Sequence, residues 1–149
     1  MEHKNKKVKI AICGSLDFTY EIEKLAQELR NRGFEVFIPI SSEKILRGEV
    51  SLEEIKQEKR AGKFSERAIK NNSIREYWNI INECDCVLIA NYDKKGIAGY
   101  VGGNVFLEMG FAHVLKKKIF LLHGVPDMIY SDEIKAMQPI VLNEDLSSI

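Results

Sequence analysis

Short apolar runs, separated by longer stretches of helical spacing, set the first expectation for this 149-residue chain. Val8 to Cys13 (VKIAIC) is one such run, closed by Gly14-Ser15, with the character of a strand buried on both faces. Phe18, Ile22, Leu25 and Leu29 then recur at spacings of 4, 3 and 4, the stripe of an amphipathic helix that Gly33 would end. Glu35 to Ile40 predicts a second strand, with Pro39 marking its end. Cys86 to Ala90 predicts a third, Lys118 to Leu122 a fourth and Pro139 to Leu142 a weaker fifth. Strands alternating with helices imply an α/β domain, a doubly wound parallel sheet of about five strands covered on both faces.

Glu43 to Lys70 breaks the pattern, with 14 of its 28 residues charged. Ser51-Leu52-Glu53-Glu54 is a capping box, Gly62 a stop and Ser65 a possible second cap, which predicts one or two exposed helices inserted after strand two. Such an insertion is either a solvated hairpin or a lid, since it leaves from the edge where these sheets bind ligands. Apart from it the chain, 1–149, reads as a single domain without repeats.

Overall charge narrows the partners. Lysine plus arginine and aspartate plus glutamate number 22 each, so no global field favours nucleic acid or an anionic membrane. No apolar stretch approaches the roughly 20 residues of a membrane span. Met1 to Lys7 is polar and basic, a frayed lead-in rather than a secretory signal. Cys13, Cys84 and Cys86 are odd in number and read as reduced thiols of a cytoplasmic protein. The three histidines are scattered, so neither a metal site nor another cofactor is expected.

Candidate chemistry concentrates in Gly102 to Leu115. Asn104 is a good N-cap for a helix there, with Gly102 and Gly103 supplying a tight turn before it. The helix is apolar on nearly every side and predicts burial all round. Into it the sequence places one acid, Glu108, costly unless something compensates it. The positive end of the helix would keep it ionised, which suits a nucleophile; a carboxylate bonded to nearby backbone is the alternative. Two loops at the same sheet edge add candidates. After strand one, Gly14, Ser15 and Asp17 form an anion-friendly turn or a plain helix cap. That turn is neither a dinucleotide-binding fingerprint nor a Walker loop. After strand three, Asn91 and Asp93 lead toward Glu108, with Asp93 the candidate partner carboxylate or a turn former. Arg75, one helix earlier, either meets a phosphate or stays solvated. Asp85 precedes strand three and reads as structural, and His113 reads as packed.

Together these residues resemble the nucleoside 2-deoxyribosyltransferase superfamily, including its deoxynucleoside-monophosphate N-glycosidase branch. Cys13-Gly14-Ser15, Cys84-Asp85-Cys86-Val87-Leu88, the Glu-x-Gly-x-Ala core within Gly102 to Ala112, and Ala136-Met137 carry the likeness. The resemblance implies a flavodoxin-like or Rossmann-like sheet and a retaining reaction on a small-molecule nucleoside or nucleotide. In it Glu108 attacks the anomeric carbon, and water or a second base resolves the glycosyl-enzyme. By the same resemblance Gly14 and Ser15 line the sugar or phosphate pocket. The chain would then be a homodimer or higher homo-oligomer, with Met137 reaching a neighbouring subunit's site. Tyr77 and Asn79 stand where family members often carry an acid, which leaves the second carboxylate open; Lys135 stands near a hydroxyl position of the phosphate-preferring branch. Two rivals share the pocket: a phosphoribohydrolase of the lysine-decarboxylase-like type, whose Gly-Gly turn Gly102-Gly103-Asn104 loosely imitates, and a nucleotide-binding sensor without turnover.

Overall fold

The computed structural model describes residues 6–149, so most of the lead-in expected over Met1 to Lys7 lies outside the described residues. Five strands, β1 (Lys9–Cys13), β2 (Glu35–Phe37), β3 (Cys86–Ile89), β4 (Lys118–Leu121) and β5 (Ile140–Val141), form one sheet in the order β2-β1-β3-β4-β5. Every neighbouring pair is parallel. This is the doubly wound, flavodoxin-like order, whose direction of winding reverses between β1 and β3.

Alternation along the strands sorts the core into two layers. Ile10 and Ile12 of β1 face one side with Leu88 and Phe120, and α1 (Thr19–Asn31) covers them with Ile22, Leu25, Ala26 and Leu29. Ala11 and Cys13 face the other side with Val87, Ile89 and Leu121. There α5 (Ser73–Glu83) supplies Tyr77 and Ile81, and α6 (Gly103–Val114) supplies Val105, Met109 and Ala112. The side-chain period of two thus makes both faces of the central strands apolar, the reason they read as unbroken runs.

Between β2 and α5 lie α2 (Ile40–Leu46), α3 (Leu52–Arg60) and α4 (Phe64–Lys70). Ser51 caps α3, its hydroxyl accepting the Glu54 N–H at 3.1 Å. These short helices have a small core of their own, Leu16, Ile45, Val50 and Ile55, with Phe64 packed against it. Glu58 and Arg67 tie α3 to α4 through two hydrogen bonds of 2.5 and 2.6 Å, a bidentate pair. The last α-helix, α7 (Ser131–Ala136), puts Ile134 into the same layer as α5 and α6.

Several boundaries differ from those the pattern predicts. The second strand stops at Phe37 rather than Ile40, because Pro39, which has no N–H to give a ladder, becomes the N-cap of α2. Ser65 lies inside α4 and Lys63 precedes it, so the serine caps nothing. On α6 the N-cap is Gly102, not Asn104: the Phe106 N–H already reaches the Gly102 carbonyl at 2.9 Å. Nor is α6 buried all round, for Leu107 is 46% and Val114 80% exposed. His113 is exposed in its last turn rather than packed. Among the described residues no helix is long and apolar enough to cross a membrane.

Asn91 fixes the two loops that leave the carboxyl edge. Its Nδ2 donates to the carbonyls of Gly99, His123 and Gly124, and its Oδ1 accepts the His123 N–H at 2.9 Å. The residue is 1% exposed, so these partners replace water. Gly99 fits there because its φ is +66° and an added Cβ would lie 2.6 Å from the Gly124 oxygen. Asn91→Ala strands these buried groups and should lower stability by about 1–3 kcal/mol, as read by urea unfolding. A loss under a few tenths of a kcal/mol would mean that the loops stand without the clamp.

Candidate active site

The reversal in strand order opens a crevice beyond the carboxyl ends of β1 and β3, and a cavity of about 270 Å³ fills it. That is close to the lower bound of roughly 300 Å³ for small-molecule sites. One side is the turn after β1, Gly14 and Ser15. Another is α6 and the residues opening it, with Gly102, Asn104, Leu107, Glu108 and Phe111. The inserted helices close a third side with Lys59, Phe64 and Arg67, and the loop after β3 adds Lys94, Lys95 and Tyr100. Gly14 lets the turn settle on the sheet end: a Cβ would fall 2.8 Å from Ile22 Cδ1 and 3.3 Å from Ala90 Cβ.

Among the described residues, Glu108 is the only acid lining this cavity. It sits in the second turn of α6, past the reach of the helix dipole, and no cation among the described residues pairs with it. Burial pushes its pKa up to about 8, and a hydrogen bond from the Cys13 thiol offsets only part of that. The carboxyl is therefore mostly neutral at pH 7, against the expectation that the helix end keeps it ionised. Its Oε2 is the one buried side-chain polar atom among the described residues without a hydrogen-bond partner. Cys13, buried beneath, has its own pKa raised by desolvation and then by Glu108. Tyr77 completes the group: its hydroxyl donates to the Ile12 carbonyl, and its ring borders the cavity.

Cations line the same cavity. Lys94 pairs with Asp17 at 2.8 Å and donates to Ser15 Oγ at 2.9 Å. Burial works against the Asp17 carboxylate, but the Lys94 hydrogen bond and charge prevail and hold its pKa below the usual range. The Lys59 ammonium lies 4.9 Å from the Phe64 ring centroid and that of Lys95 lies 5.7 Å from the Tyr100 centroid. Burial, followed by the charge of Lys94, lowers the Lys59 pKa, and Lys95 and Lys56 add to the effect.

Of the residues singled out in the sequence, the structure brings Gly14, Ser15, Gly102, Gly103, Asn104 and Glu108 to one cavity. Asp17 stands behind it, as the counterion of Lys94. Asp93 is exposed and turns to its own loop, its Oδ1 accepting the Gly99 N–H at 2.9 Å. Asn91 is consumed by the clamp described above. Arg75 borders an adjoining depression with Trp78, which shares Ile74 and Phe111 with the cavity, and bonds Asn72 at 3.2 Å. Met137, the C-cap of α7, packs against the core rather than lining the cavity. Asp85 accepts the Lys9 N–H at 2.8 Å, ahead of β3. The sequence reading missed Lys59, Arg67, Lys94, Lys95 and Tyr100. The aromatic and cationic residues of the insertion and of the loop after β3 were the available signal.

No protein-family model matches the chain, and no curated protein matches it either. Among solved structures, a CMP N-glycosidase of Clostridium botulinum, BcmB, aligns with 89% of this chain and 84% of its own. Identity is 17% and the TM-score 0.47.

The raised pKa ties Glu108 to stability. The folded state holds a proton that the unfolded chain sheds from about pH 4.5, so wild-type stability falls as pH rises from about 4.5 to about 8, then levels. Glu108→Gln, neutral throughout, escapes this loss. Its melting temperature should therefore gain on wild type across that window, by an amount that stops growing above it. Parallel curves for the two proteins between pH 5 and 8 would show that the carboxyl is not desolvated.

Proposed function

We propose that this protein cleaves or transfers the N-glycosidic bond of a nucleoside or nucleotide, with Glu108 as the nucleophile. One observation carries the reading: a single carboxyl, with an unpartnered oxygen, lines a nucleotide-sized crevice at the switch point of a doubly wound sheet. An isolated carboxyl in an apolar wall is costly, and a sugar hydroxyl would supply the hydrogen bond that Oε2 lacks. The resemblance drawn from Cys13-Gly14-Ser15 and Glu108-x-Gly110-x-Ala112 points to the same chemistry.

In the reaction the ionised Glu108 attacks the anomeric carbon. The C1′–N bond breaks, its electron pair leaves with the base, and water at the cavity mouth protonates that base. A second water then attacks the same carbon and gives its proton to the hydroxide left by the first, the C1′–O bond to Glu108 breaks, and the carboxylate returns; a second base, losing its N–H proton to that hydroxide, gives transfer in place of water. Desolvation, which makes the free carboxyl a poor acid, also makes its anion a better nucleophile than one in bulk water. Asp93 has no part in this scheme, since its carboxylate is engaged by the Gly99 N–H. Oligomerisation through the exposed apolar side chains of α6, and a cytoplasmic location, belong to the same reading as proposals.

Glu108→Gln should abolish base release from a panel of nucleosides and monophosphates, followed by chromatography, with the fold intact by circular dichroism. In the wild type kcat/KM should climb with pH and level near 8, as the nucleophile ionises. A rate that falls across this range instead would make Glu108 the general acid. Asp93→Asn should change kcat by less than about tenfold, against the roughly 10²–10⁴ expected of a proton-transfer residue. A nucleotide-binding protein without turnover is the second reading, favoured by the absence of another acid from the cavity wall among the described residues. Tight nucleotide binding with no base release over hours would select it.

A further inference from the structure

Water protonates the departing base in the scheme above, although one hydroxyl on the cavity wall is already set as a donor. Ser15 opens the turn after β1, and its Oγ accepts two hydrogen bonds, from the Asp17 N–H at 3.3 Å and from Lys94 Nζ at 2.9 Å. A hydroxyl has two acceptor positions and one hydrogen. Both acceptor positions are filled, and no acceptor for the hydrogen lies within bonding distance among the described residues. Ser15 lines the cavity, so that hydrogen is left to whatever enters it. Ser15 therefore meets a ligand as a donor.

A charged group stands behind this donor. Lys94 Nζ lies 2.8 Å from Asp17 Oδ2 and its side chain is 19% exposed, so two partners on the turn after β1 hold the ammonium across the crevice. Its backbone is equally fixed. Lys94 and Ile97 exchange hydrogen bonds of 3.1 and 2.9 Å across a two-residue turn, where Lys95 (φ +54°) and Gly96 (φ +73°) take the left-handed conformation such a turn requires. Two other proton-bearing groups on the wall are engaged elsewhere: the Tyr77 hydroxyl donates to the Ile12 carbonyl, and Arg67 is paired with Glu58.

We infer that Ser15 is the general acid that protonates the leaving base, and that Lys94 is the positioning residue that polarises its hydroxyl and restores its proton. The inference rests on the proposed N-glycosidic reading for the presence of a leaving base. As the C1′–N bond breaks, the Ser15 hydrogen passes to the base nitrogen. A Lys94 N–H proton passes to Ser15 Oγ, which leaves a neutral amine beside the Asp17 carboxylate. The water that next attacks C1′ returns its proton through Ser15 to Lys94, and the C1′–O bond to Glu108 breaks. One water is consumed, the base departs neutral, and both residues regain their starting state. Hydrogen bonds in such a chain polarise one another, so the ammonium makes the serine a better donor than a lone hydroxyl. A second carboxyl is then not needed, in keeping with a wall that holds one acid among the described residues.

The experiment compares base release from a parent substrate and from an analogue whose base departs with less help, a 5-fluoropyrimidine or a 7-methylpurine. Wild type, Ser15→Ala, Lys94→Gln and Lys94→Arg are measured on both, with circular dichroism as the check on folding. On the parent, kcat of each variant should fall by about 10²–10⁴, and on the analogue by less than about tenfold. Lys94→Arg separates relay from support, since arginine keeps the charge and the hydrogen bonds but does not release a proton. Should it match wild type on the parent, Lys94 is a strut and the relay is overturned. Equal losses on parent and analogue would make Ser15 a structural residue and leave the N-glycosidic reading standing. A wild type that releases base from neither substrate would remove that reading and the acid assignment with it.

Discussion

A carboxyl group buried without a cation governs this molecule. Removing Glu108 from water disfavours its charged form, and nothing on the surrounding elements returns the lost solvation in full. Cys13 gives one weak hydrogen bond from a thiol that is itself desolvated, and Tyr77 spends its hydroxyl on the Ile12 carbonyl. A protein under no functional demand could have relieved the cost with a glutamine or an aliphatic side chain at this point. The cost is met instead by the strong packing on either side, Val105 and Met109 on α6 and Ala11 and Cys13 on β1, all in one apolar layer.

That layer also explains why the acid faces a crevice. Parallel strands send their carboxyl ends to one edge, and where winding reverses the loops on either side diverge. Here the turn after β1 and the long loop after β3 part between strands that are themselves paired from Ile10–Cys86 to Cys13–Ile89. The loop after β3 would be free to collapse into the gap, but Asn91 holds it to the loop after β4. The cavity is thus a consequence of topology, kept open by a polar clamp and shaped by α6.

Much of this was legible in the chain. The unbroken apolar character of Ile10 to Cys13 and Cys86 to Ile89 gave away strands covered on both faces, and Glu108 stood out as a charge in an apolar helix. What periodicity could not reveal is which polar groups near the carboxyl edge are consumed by other polar groups. Asn91, Asp93 and Asp17 are plausible ligand contacts by position, yet each is engaged by a partner distant enough in sequence to leave no local trace: His123 and Gly124 for Asn91, Gly99 for Asp93, Lys94 for Asp17. The state of Glu108 was misjudged for a related reason. A helix dipole acts over the first turn, and the sequence placed the acid near a start that, once Gly102 is seen to be the cap, lies further away.

The positions of charge around the cavity argue for a division of labour. Were the lysines there to ionise Glu108, their field would act against its desolvation. The influences that move Glu108 are burial and the Cys13 thiol, with no lysine among them. Lys94 and Lys95 bear on Lys59, and Lys94 and Lys59 bear on Asp17. Burial, rather than these cations, therefore sets the state of Glu108 in the free protein. The inserted helices, read in the sequence as a solvated hairpin or a lid, line the cavity with Lys59, Phe64 and Arg67.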